Sequence, residues 1–83
     1  MSTSEKVIEL IKELSGKEEI TITDSLQEDI ALDSLSMVTL LIGIEENFQI
    51  ELDESDMNPF DLNNVEDVID LVDKYGGIKN EDN

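Results

Sequence analysis

Leu32-Asp33-Ser34-Leu35-Ser36-Met37-Val38-Thr39-Leu40-Leu41-Ile42-Gly43-Ile44-Glu45-Glu46-Asn47-Phe48 reads as one helix with a serine singled out at its first turn. Asp33 is a good N-cap: its carboxylate can accept from the orphan backbone N–H groups and stands at the positive end of the helix dipole. Ser34 then falls at the first helical position, close to solvent. Met37, Leu41, Ile44 and Phe48 recur at one helical face, and Leu35, Val38 and Ile42 form a second stripe rotated from the first. A small domain needs one such face for its core. The second stripe, which begins beside Ser34, either awaits a ligand or partner or adds to the core of a helix packed on several sides. Periodicity leaves both readings open.

Outward from this helix the chain offers two more. Ser2 to Glu5 has capping-box spacing, and Val7, Ile8, Leu10, Ile11 and Leu14 mark one face, so a helix is expected over about 3–15 with Gly16 as its left-handed cap. Residues 17–32 make a long connection in which Ile20, Ile22, Leu26, Ile30 and Leu32 are spaced as core anchors. Thr21-Ile22-Thr23 could be a strand but has no partner, so an ordered loop is expected, with a helical turn from Ser25 to Glu28. Ile50 and Leu52 should tuck inward. Asn58-Pro59-Phe60-Asp61-Leu62 suits a short helix with Pro59 at its first position and Phe60 and Leu62 in the core. Asn63 or Asn64 caps the last helix, with Asn63 to Glu66 at capping-box spacing. Val65, Val68, Ile69, Val72 and Tyr75 form its apolar face, and Gly76-Gly77 ends it. The fold class expected is all-α: three principal helices and one short one, with a long ordered loop between the first and second. Residues 1–77 form the domain and 78–83 a flexible acidic tail.

With 83 residues this is one domain, of modest stability, about 4–12 kcal/mol. Five basic residues against 22 acidic give −17, a field that repels nucleic acid and anionic membrane and attracts basic protein surfaces. There is no Cys, hence no disulfide and no thiolate ligand, and no His, which removes the commonest general base and metal ligand. No run approaches the ~20 apolar residues of a membrane span, and no signal peptide is visible, so a cytoplasmic protein is the default; a monomer is expected.

A serine hydrolase does not fit. Ser34 lacks the small flanking residues of a nucleophile elbow, there is no His, and the few lysines cluster near the termini. Asp53, Ser55 and Met57 alternate as EF-hand ligands would, but Met57 is no ligand and no Gly follows it, so no dedicated metal site is expected. No catalytic residue is assigned.

Asp33-Ser34-Leu35, followed by an amphipathic helix ending Ile44-Glu45-Glu46-Asn47-Phe48, resembles the acyl carrier protein family, and the resemblance runs from Val7 to about Tyr75. It implies that Ser34, framed by Asp33 and Leu35, carries a 4′-phosphopantetheine arm joined to it from coenzyme A by a phosphopantetheinyl transferase. The arm's thiol would hold acyl groups as thioesters for acyl-loading, condensing and other synthase enzymes of fatty-acid or polyketide-type biosynthesis. The chain itself would be no enzyme. Basic docking surfaces on those partners would meet Leu35, Val38 and Ile42, with Glu45, Glu46, Asp53, Glu54 and Asp56 as acidic contacts. This sequence departs from the family pattern at Ser36 and Thr39, where acids are common, at Ala31, where Gly often stands, and after Leu52, where it lacks Pro. Those departures spare the attachment site and bear on the choice of partners. An aminoacyl or peptidyl carrier, including a D-alanyl carrier, is the alternative. So is an unmodified acidic module that docks through Leu35, Val38 and Ile42.

Overall fold

A computed structural model describes residues 2–76. The expected tail at 78–83 lies outside the described residues. Three α-helices, α1 (Thr3–Ser15), α2 (Ser34–Phe48) and α3 (Val65–Lys74), pack around one core, and two 3-10 turns, Glu54–Asp56 and Pro59–Asp61, lie between α2 and α3. No strand occurs among the described residues; a single bridge joins Ser25 and Asn64. Among the described residues no helix is long and apolar enough to cross a membrane.

Each helix begins where its capping chemistry dictates. Ser2 Oγ accepts from Glu5 N at 3.2 Å and Glu5 Oε1 accepts from Ser2 N at 3.0 Å, a complete capping box. Gly16, at φ 79°, closes α1 by donating to Lys12 O. Of the two expected caps of α3 it is Asn64 that serves, and the capping box is therefore Asn64 with Asp67, one residue on from the Asn63–Glu66 spacing. Asp67 Oδ2 accepts from both Asn63 N (2.8 Å) and Asn64 N (3.2 Å), which selects this register.

The 17–32 connection is ordered because its backbone completes α3. Val65 N donates to Asp24 O at 3.1 Å and Glu66 N to Ile22 O at 2.9 Å, so two of the helix's orphan N–H groups are satisfied by the loop. Leu26 N donates in return to Asn63 O. The expected helical turn is present: Asp29 N donates to Ser25 O, and Glu28 N to Ser25 Oγ. Ile20, Leu26, Ile30 and Leu32 enter the core as anchors. Ile22 does not. It sits at the corner of the Thr21–Asp24 turn with its side chain 42% exposed.

On α2 the stripe Met37, Leu41, Ile44 and Phe48 is buried, joined by Leu40 on its α1-facing flank, away from the second stripe. Against it lie Val7 and Ile11 of α1 and Val65, Val68 and Val72 of α3, all completely buried. An open groove of about 290 Å³, lined by Leu10 and Leu14 of α1 and Thr39, Leu40 and Gly43 of α2, marks the edge of α2 that faces α1.

Phe60 also departs from expectation: it is 73% exposed, while Leu62 is buried as expected. The reason is geometric. With three residues per 3-10 turn, Pro59 and Leu62 fall on the same inward side, and Phe60 lies a third of a turn away.

Candidate attachment and docking site

The site is built on the N-terminal half of α2. Asp33 is its N-cap, with Oδ1 accepting from Ser36 N at 2.8 Å. That bond to the Ser36 backbone, with the Ser36 side chain adding to it, holds the Asp33 carboxyl below its usual value, so the cap stays ionised over the physiological range. Through that bond Asp33 orients toward Ser36 N and fixes the first turn of α2. Ser34 is the first helical residue and is exposed, and its hydroxyl has no hydrogen-bond partner among the described residues. It is therefore free for chemistry supplied from outside. The first N–H groups of α2 lie beside it at the positive end of the helix dipole, a setting that favours an anionic substituent such as a phosphodiester. The residues present therefore fit a phosphorylated arm on Ser34.

Next to Ser34 the second stripe remains outside. Leu35 is 76% exposed, Ile42 45% and Val38 39%. Core residues occupy the far side of the helix, so α2 has one face turned inward and one left to solvent.

The acids offered as contacts fall into two groups. Glu46, Asp53 and Glu54 are exposed. Glu45 and Asp56 are engaged within the fold. Glu45 Oε2 accepts from Leu52 N at 2.8 Å, which satisfies the N–H of a residue whose side chain is buried. Asp56 accepts the Tyr75 hydroxyl and the Lys74 ammonium, the latter at 3.0 Å, and clasps the first 3-10 turn to the end of α3. The Tyr75 hydrogen bond first, and then Lys74, lower the Asp56 pKa; Asp56 in turn raises those of Tyr75 and Lys74. Sequence spacing carried no sign of these internal roles, because both bonds join residues whose approach depends on how the 49–62 connection folds back.

Comparison with known proteins now bears on this geometry. The family model of the phosphopantetheine attachment site matches residues 5–72. An acyl carrier protein of Nitratidesulfovibrio vulgaris (strain DP4) is 36% identical over 74 residues, covering 87% of this chain and 95% of its own length. One from Thermobifida fusca (strain YX) is 35% identical over 81 residues, covering 89% of this chain and all of its own. Attachment of 4′-phosphopantetheine and service as a carrier, not catalysis, are therefore the properties of its class. The chain belongs to the acyl carrier protein family.

Proposed function

We propose that Ser34 is the attachment point and that the chain carries acyl intermediates, as thioesters on the arm, between enzymes of fatty-acid or polyketide-type biosynthesis. The observation that carries this reading is an exposed hydroxyl with no internal partner, at the first position of a capped helix whose neighbouring face is apolar and solvent-facing. In this reading the Ser34 oxygen replaces the nucleotide portion of coenzyme A on the phosphopantetheine phosphorus. Its proton passes to a base of the transferase, since this chain has no His. The arm, once attached, supplies the only thiol, because the chain has no Cys. Leu35, Val38 and Ile42 serve as the hydrophobic hold for the transferase and later enzymes, with Glu46, Asp53 and Glu54 steering basic surfaces toward it. A monomer working in the cytoplasm suits that role.

The test is intact mass after incubation with coenzyme A, magnesium and a broad-specificity phosphopantetheinyl transferase. The wild-type chain should gain the mass of the arm, and Ser34→Ala should keep its helical signal and gain nothing. Modification of the alanine variant would place the site elsewhere. No gain on the wild type would favour the unmodified interaction module.

A further inference from the structure

Among the described residues Leu35 and Phe60 are the most exposed large apolar side chains, at 76% and 73%; no other reaches half. An exposed Phe on a frayed segment would mean little. Phe60 is instead held outward by a stiff turn. Pro59 fixes φ at the first position, Asn58 Oδ1 accepts from Phe60 N at 3.0 Å, and Leu62 N donates to Pro59 O at 3.2 Å with its side chain buried. An aromatic ring with two rotatable bonds on such a base makes contact at low entropic cost.

The turn Pro59–Asp61 packs on α2, and the helix periodicity indicates which edge it meets. At 3.6 residues per turn, Thr39 and Gly43 face the α1 side, as their place in the groove shows. Val38 and Glu45, seven residues apart, share the opposite edge. Glu45 binds Leu52 N there, so the 49–62 connection runs along the edge that carries Ser34 and Val38. The turn that carries Phe60 therefore lies on the side of α2 next to the Leu35–Val38–Ile42 face.

Charge identifies what covers it. All five basic residues are lysines, at 6, 12, 17, 74 and 79; residues 18–73 hold seventeen carboxylates and no base. The five acids outside that segment equal the five lysines in number, so residues 18–73, which include this face, carry a formal −17 that only Lys74, through Asp56, is seen to offset. Exposed Asp61, Asp53, Glu54 and Glu46 lie on the elements that border it. A second copy, carrying the same field, is repelled, as is an anionic membrane.

We propose that Phe60 is the second anchor of the docking face, set beside Leu35, Val38 and Ile42, for a partner protein whose apolar hollow is rimmed by lysine or arginine. This rests on the docking reading given above and names the partner surface it requires. Central apolar anchors dominate such contacts, and acidic rims set encounter and specificity.

The experiment uses the full chain carrying Ser34→Ala, so that binding is separated from modification, titrated with the broad-specificity phosphopantetheinyl transferase at near-physiological salt. Adding Phe60→Ser should raise Kd about tenfold or more while the melting temperature stays within about 2 °C of the parent. Phe60→Leu should recover most of the affinity. A Kd within about twofold of the parent, or no binding by the parent, overturns the proposal. So does a large loss of stability in Phe60→Ser, which would make Phe60 internal, or self-association of the wild type abolished by the same change, which would make the occupant a second copy. If Kd responds to Phe60 while the wild-type chain gains no mass, the Ser34 assignment fails and the Phe60 anchor stands.

Discussion

Ala31 and Gln49 hold left-handed backbone, at φ 65° and 56°, where a side chain crowds the following carbonyl. Ala31 stands two residues before the Asp33 cap, and Gln49 closes α2 by donating to Glu45 O. Glycine removes the strain at either position. Ala31→Gly and Gln49→Gly should each stabilise the fold by about 1 kcal/mol, a rise of about 4–8 °C in melting temperature for a domain this size. Phe48 is the opposite case: 8% exposed, it ends the buried stripe of α2, and the Lys6 ammonium lies 5.7 Å from its ring centroid. Phe48→Ala should cost about 3–5 kcal/mol, read by thermal or urea unfolding; a variant that melts like its parent would place Phe48 on the surface. Helical spacing sufficed to find Phe48, because within a long α-helix the period fixes which residues share a face. It failed for Phe60 and Ile22, because each lies in a turn too short to repeat a pattern in the sequence, and their orientation follows from the local turn geometry.

At the scale of elements, the helix boundaries were legible because caps and periodicity agree: residues 3–15 and 34–48 match the expected spans. The two 3-10 turns were legible only in part. Pro59 announced the second; the first, Glu54–Asp56, is held by a clasp to Tyr75 and Lys74 that depends on tertiary approach. This clasp makes a pH prediction. The Asp56 pKa is lowered in the fold, so its contribution is present above the ordinary carboxylate value of 3.8 and fades as pH falls through the depressed one. The Tyr75 and Lys74 pKa values are raised, so theirs is present below their ordinary values of 10.0 and 10.5 and fades as pH rises through the raised ones. Tyr75→Phe should therefore melt below the parent at neutral pH, with the gap closing toward the acid limb. A gap constant down to the lowest pH would remove Asp56 from the account.

At the scale of the molecule, residues 18–73 carry seventeen carboxylates and no basic residue, which opposes compactness, and Lys74 offsets only Asp56 among them. Adding salt from a very dilute buffer to near-physiological strength, where the Debye length is about 8 Å, should raise the melting temperature; an unchanged value would show that self-repulsion is negligible. The charge is tolerated because the core is wholly apolar and no buried side-chain polar atom lacks a partner among the described residues. What remains is the division of α2 into a face that holds the fold and a face that serves partners. One paired measurement tests it most directly: melting, and the time course of modification by the transferase, for Val38→Glu and Leu41→Glu. Val38→Glu should melt within the equivalent of about 0.5 kcal/mol of the parent and be modified far more slowly, while Leu41→Glu should lose its fold by burying an unpaired charge. Unfolding of Val38→Glu, or its modification at the parent rate, would contradict the account.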